Sequence, residues 1–224
     1  HSSLFDYNAS FYYSTDELIE NFGRERWADS VILIKGSRDS RFERLSRLLE
    51  RRTHTTTLEV DLSAMKKNLD YFRKHLPQQH PIVAMVKAWS YGTGDVDVAR
   101  MLQHEGVAYL AVAFADEGVT LRKAGISTNI IVMNPEMNSL STLFKYHLEP
   151  EVYSFRLLNA LIDAARKEGL TAYPIHLKLD TGMHRLGFNP DKDMPRLTEV
   201  LSSQSALRPS SVFTHFVGSD ADEF

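Results

Sequence analysis

The chain has 224 residues, 43% hydrophobic and 25% charged, with 26 basic against 29 acidic side chains and a net charge of −3. That is enough chain to bury a core in one large domain or two smaller ones, and its charge makes no case for binding nucleic acid or a membrane surface. The absence of cysteine excludes disulfides and thiolate chemistry, and no apolar run nears the roughly 18 residues that cross a bilayer. With no signal-peptide pattern, a cytoplasmic protein is expected. The chain opens at His1 rather than Met, so a longer polypeptide, or a tag remnant over His1-Ser2-Ser3, is expected.

Residues 1–53 read as a separate block. Ser14 or Thr15 can N-cap a short helix over Asp16–Phe22. Asp29–Arg38, DSVILIKGSR, predicts a strand ending in a Lys-Gly-Ser turn. Asp39–Arg52 then predicts a basic amphipathic helix, with Phe42, Leu45, Leu48 and Leu49 at helical spacing. Strand, glycine turn and helix start could hold a phosphate, but KGSR is too short for a phosphate loop, and a structural βα unit is the simpler reading. A linker and opening strand are assigned to 54–62, with Leu58–Leu62 as the strand. A helix follows, its apolar stripe formed by Leu62, Met65, Leu69 and Phe72.

From Pro81 onward a short apolar strand, a turn and an amphipathic helix recur. Strands are expected at 82–87, 108–113, 129–133, 149–153, 174–180 and 211–216, and helices at 95–105, 116–124, 138–146, 154–168 and 191–203. Such alternation implies a parallel sheet joined by βαβ crossovers. It fits either a doubly wound open sheet or most of a (β/α)8 barrel. In both, functional groups gather at the carboxyl ends of strands.

Two stretches carry chemistry. In Val83–Gly94, VAMVKAWSYGTG, an apolar strand ends at Lys87, and alternation places Val83, Met85 and Lys87 on one face. A lysine capping an apolar stack is desolvated, which disfavours its ammonium and suits imine formation. In Ile175–Phe188, IHLKLDTGMHRLGF, apolar Ile175, Leu177 and Leu179 alternate with ionisable His176, Lys178 and Asp180, and Arg185 lies seven residues beyond Lys178.

Together these stretches resemble the alanine racemase family. VKAWSYGTG is similar to its cofactor-lysine motif, usually V-K-A-N-A-Y-G-H-G, and LKLDTGMHRLGF is similar to its second motif almost residue for residue. The resemblance runs from about Thr55 to Phe224. It implies a (β/α)8 TIM-type barrel, incomplete in this chain, over residues 63–224. It also implies that pyridoxal 5'-phosphate is held as an imine by Lys87, which then acts as one of two bases interconverting L- and D-alanine for peptidoglycan. By the same resemblance Tyr91 contacts the cofactor phosphate, Arg185 its phenolic oxygen, and His215, in Thr214-His215-Phe216, belongs to the polar network beneath it. Lys178 matches a lysine that is carboxylated in many members; left unmodified beside Arg185, it calls for a separating anion. No metal is implied.

The sequence departs from the family pattern at Trp89-Ser90, where Asn-Ala is usual, and at Thr93, where histidine is common. In the family, a C-terminal β domain pairs with the opening strand and supplies the second base, a tyrosine, to the partner subunit of a homodimer. Asp220 and Asp222 resemble an acidic pair after the histidine motif and receive no role. Separately, DSVILIKGSR resembles the tail of the C-terminal domain in Mur ligases, especially the one that adds D-alanyl-D-alanine, so a ligase–racemase fusion is expected. The rival expectations are a non-racemising barrel that carries the cofactor, and an inactive scaffold.

Overall fold

A computed structural model describes residues 10–22, 31–36, 40–49, 57–77 and 80–218. Its contacts divide the chain into two units, His1–Glu59 and Val60–Phe224.

In the first unit, α1 (Thr15–Glu20) begins where Ser14 Oγ accepts from Glu17 N at 3.1 Å, one of the two caps expected. The second helix, α2 (Glu43–Leu49), begins after residues 40–42 and buries Leu45, and residues 39 and 50–52 of the expected helix lie outside the described residues. Thr15 Oγ1 donates to Ser40 O at 2.6 Å, and Arg44 pairs with Asp16 at 2.6 Å. The strand expected over Asp29–Arg38 is not formed in its described part. Residues 31–36 pair with nothing among the described residues, and Val31 and Leu33 stand exposed. Without a neighbouring strand, β-branched residues alone do not make one.

The second unit opens with a helix rather than a strand. Asp61 Oδ1 accepts from Ser63 N and Ala64 N, so α3 (Leu62–His75) begins there, and residues 58–61 run up to it without sheet pairing. Leu62, Met65 and Leu69 pack on the core, whereas Phe72 is 63% exposed and falls off the stripe.

Six strands follow: β1 (Val83–Met85), β2 (Tyr109–Val112), β3 (Asn129–Val132), β4 (Leu148–Val152), β5 (Tyr173–Leu179) and β6 (Leu207–Thr214). All pair parallel, in chain order. Between them lie α4 (Lys87–Gly92), α5 (Asp95–His104), α6 (Ala115–Lys123), α7 (Leu140–Lys145), α8 (Phe155–Lys167) and α9 (Met194–Ser202). This order decides between the two expected architectures. A doubly wound sheet reverses its order midway to cover both faces. Right-handed crossovers that never reverse put every helix on one face and curl the sheet into a barrel wall. The result is a half-barrel whose edge strands, β1 and β6, do not pair with each other.

The helix-facing side of the wall holds the core. Leu110, Val112, Ile130, Val132, Leu148, Val152, Ile175 and Leu177 meet the buried faces of α5 to α9. On α8 those are Leu157, Leu158, Leu161, Ile162 and Ala165, behind an N-cap at Ser154. β6 begins four residues before the expected 211, because Pro209 is tolerated in an edge strand, beside a register shift at Ile175/His176. No helix among the described residues is long and apolar enough to cross a membrane.

Candidate functional site at the carboxyl ends of the strands

The concave side of the wall carries the other parity of each strand. Tyr109 on β2 lies edge-on to the His176 ring on β5, with centroids 5.3 Å apart, and Lys178 on β5 approaches the Phe213 ring on β6 at 5.9 Å. Glu149 and Glu151 on β4 face the same way, paired to β5. Both faces of β5 are therefore buried, one apolar and one ionisable.

Lys87 does not extend β1 as a flat strand end. The strand stops at Met85, Val83 is 50% exposed, and Lys87 is half-buried, so the expected apolar stack is partly open. Beyond Lys87 the backbone is left-handed at four consecutive non-glycine residues: Ala88 (φ 50°), Trp89 (54°), Ser90 (51°) and Tyr91 (58°). Each costs roughly 1–2 kcal/mol relative to a right-handed conformation. Such strain persists where the surroundings over-determine it, and it gathers at functional sites.

The turn is closed by its own hydrogen bonds, Ser90 N to Val86 O, Gly94 N to Trp89 O and Thr93 Oγ1 to Ser90 O, and by one carboxylate from a distant element. Glu117 Oε1 accepts from Ala88 N at 2.7 Å, while its Oε2 accepts from Ala113 N at 2.6 Å and Phe114 N at 3.3 Å. Glu117 thus makes half of a capping box at the start of α6 and spends its free oxygen on the turn that carries Lys87. The turn buries Ser90 and leaves Trp89 and Tyr91 70% and 66% exposed. Tyr91 remains a neighbour of the lysine, with Lys87 Nζ 5.9 Å from its ring centre. Sequence reading missed Glu117; the available signal was an acidic residue three positions into a helix that follows a strand end.

Lys178 Nζ lies 3.1 Å from Glu151 Oε1, the lysine side chain 7% and the glutamate 0% exposed. The pair is ionic rather than a directed hydrogen bond, since neither Glu151 oxygen has a hydrogen-bond partner of good geometry among the described residues. Burial raises the Glu151 carboxyl above its usual range, and attraction to Lys178, Arg185 and His176 offsets part of that. His176 Nε2 meets Glu149 Oε2 at 2.8 Å, and its Nδ1 meets Ser211 Oγ at 2.7 Å. The separating anion required beside Lys178 is therefore present as Glu151. The Glu149/Glu151 alternation was visible in the sequence, but its pairing with His176 and Lys178 depends on cross-strand register.

Arg185 sits exposed in a loop that is closed tightly at its base. Phe188 N donates to Lys178 O at 2.8 Å and Asp180 N to Phe188 O at 2.9 Å, while the buried Phe188 ring packs on Phe155 with centroids 5.1 Å apart. Gly187 has φ +138°, and a Cβ there would lie 2.5 Å from Asp180 N, so the glycine in this motif is a steric requirement. Asp180 organises the loop from within. Hydrogen bonds from the backbone of His184 and Gly182 hold its carboxyl below the usual value. His215 is exposed just past β6, whose end is fixed by Thr214 Oγ1 donating to Leu179 O at 2.9 Å. Among the described residues, no hydrogen bond or ion pair joins Lys87, Arg185 and His215 to one another; they share the same end of the wall. Asp220 and Asp222 lie outside the described residues.

The family model for the alanine racemase N-terminal domain matches residues 60–224, well over half the chain. Alanine racemase 2 of Bacillus subtilis (strain 168) is 37% identical over 170 residues, which are 74% of this chain and 42% of that protein. Among solved structures, an alanine racemase of Clostridium difficile 630 superposes with a TM-score of 0.69 at 30% identity, covering 74% of this chain and 45% of the other. The Bacillus anthracis alanine racemase with bound L-Ala-P gives a TM-score of 0.66 at 30% identity, covering 73% and 42%. The chain spans less than half the length of each of these relatives.

Proposed function

The chain belongs to the alanine racemase N-terminal domain family, and on that premise we propose that it is the cofactor half of a pyridoxal phosphate-dependent enzyme interconverting L- and D-alanine. The observation that carries the reading is Lys87, half-buried at the carboxyl end of β1 on a strained turn that Glu117 holds in place. The donor set suits such a cofactor. A primary amine can take an aldehyde, a phenol beside it can donate to a phosphate oxygen, and a guanidinium on a pinned loop can hold a phenolic oxygen. Bound there, the cofactor supplies an electron sink for the charge left when an α-proton departs.

This chain's residues do the rest. Lys87 would hold the cofactor by its amine and would take or return a proton at one face of the substrate α-carbon. The left-handed turn fixes where its stem starts. Arg185, aimed by the Asp180–Phe188 loop, sets the electron demand of the ring, and Tyr91 anchors the phosphate. His215 supports that network. The opposite face requires a second base, which the resemblance assigns to a tyrosine from the partner subunit of a homodimer. D-Alanine made in this way would serve cell-wall synthesis. The Mur-ligase likeness of residues 29–38 rests on sequence alone, and on it we place the chain in a ligase–racemase polypeptide.

The test is interconversion of D- and L-alanine by the full-length polypeptide with and without added cofactor. Cofactor-dependent interconversion is expected. Stoichiometric cofactor binding without interconversion would favour the carrier barrel instead.

A further inference from the structure

The concave face of the wall holds two buried anion–cation rungs between β4 and β5. One is Glu149 with His176, 2.8 Å apart, steadied by Ser211; the other is Glu151 with Lys178, 3.1 Å apart. The second rung lies closer to the carboxyl ends of the strands, next to the loop that carries Arg185. Resting on the function proposed above, we propose that Glu151 is the built-in counter-anion of this site, standing 3.1 Å from Lys178 in the buried space a carbamate would need, and that Lys178 is not a carboxylation site.

The chemistry of carboxylation gives the reason. A neutral amine must attack the carbon of CO2; a C–N bond forms, one C–O π bond opens to a carboxylate, and a proton leaves the nitrogen. The starting ammonium must therefore first lose a proton, which strips Glu151 of the cation 3.1 Å away. Glu151 is 0% exposed, so water cannot replace that partner. The product would then set two carboxylates side by side in the same buried space, with Arg185 left to balance both. Every other ionisable group acting on Glu151 agrees with this picture. His176 and Arg185 add positive potential, and Tyr153, raised by its own burial and by Glu151, stays neutral. The neighbouring Glu149 is already occupied by His176.

The test is carbon-13 NMR of the full-length protein incubated with labelled bicarbonate at mildly alkaline pH, alongside Glu151→Gln and Lys178→Arg. Wild type is expected to show no carbamate signal, and its activity should not respond to removal of CO2. Glu151→Gln keeps the shape but removes the charge, and should gain a bicarbonate-dependent signal that Lys178→Arg abolishes when combined with it. A wild-type carbamate signal lost in Lys178→Arg would overturn the proposal. Silence from both wild type and folded Glu151→Gln would also overturn it, because Lys178 would then resist CO2 for some reason other than Glu151. Cofactor labelling of Lys87 reads the proposed function separately, so the two can fail independently.

Discussion

After β1, Lys87 is held by the backbone. Four left-handed residues turn away from it, two large aromatic side chains point outward, and one carboxylate oxygen of Glu117 ties the turn down. On β5, Lys178 is held by side chains, buried in regular strand and matched to a glutamate one strand away. The first arrangement leaves the amine without a hydrogen bond or ion pair among the described residues and its stem fixed, which suits the covalent role proposed for it. The second balances the charge of its side chain with a buried carboxylate 3.1 Å away. Two lysines at one end of a barrel wall are thus restrained in opposite ways, which suits the opposite roles proposed for them.

Opposite outcomes are expected when Lys87 itself and the partner of Lys178 are removed. The largest effect is expected from Lys87→Ala, which should reduce racemisation by the full-length protein about 10⁴-fold or more. Its melting temperature should barely change, since Lys87 makes no hydrogen bond or ion pair among the described residues. Residual turnover above about a hundredth of wild type would mean the covalent role lies elsewhere. Glu151→Ala should act the other way round, costing about 3–5 kcal/mol in urea unfolding by stranding a buried ammonium. A loss under about 1 kcal/mol would show that Lys178 finds water or another anion.

The site was unevenly legible in the sequence. Both motifs, the strand–helix alternation and the ionisable face of β5 could be read directly, because each depends on local spacing. Three features could not. The left-handed turn contains no glycine or asparagine within Ala88–Tyr91 to announce it, and part of its restraint comes from Glu117, far along the chain. The Glu151–Lys178 rung needs the register of β4 on β5. Leu58–Leu62 reads as strand by composition, yet the Asp61 cap starts a helix at Leu62 and no pairing partner adjoins residues 58–61 among the described residues. Local pattern specifies elements, whereas pairing across the sheet decides which charges meet.

Smaller effects sharpen the same contrast. Gly187→Ala should cost about 2–4 kcal/mol through backbone collision and a disfavoured φ, and should weaken cofactor binding by displacing Arg185. Unfolding and cofactor titration would check both, and an unperturbed loop would show that Asp180 and Leu179 can yield. Glu117→Ala should cost about 1–3 kcal/mol by leaving backbone N–H groups unsatisfied. It should also make the Lys87 turn sensitive to protease in the apo-protein, whereas equal resistance would place the restraint in the aromatic side chains. The smallest effect concerns pH. Because the Asp180 carboxyl is held below its ordinary 3.8 in the folded loop, its contribution is present above that value and is lost as pH falls through the folded pKa. Amide exchange at Gly182 and His184 should therefore stay slow down to about pH 4 and quicken only in stronger acid. Loss of protection well above pH 4, measured relative to the intrinsic exchange rate, would show that Asp180 does not hold the loop.

The most direct measurement is to load the full-length protein with pyridoxal phosphate, reduce it with borohydride and map the modified peptide by mass spectrometry. One labelled lysine is expected, Lys87, with Lys178 unmodified. Label on Lys178, or on any lysine while Lys87 stays free, would contradict it.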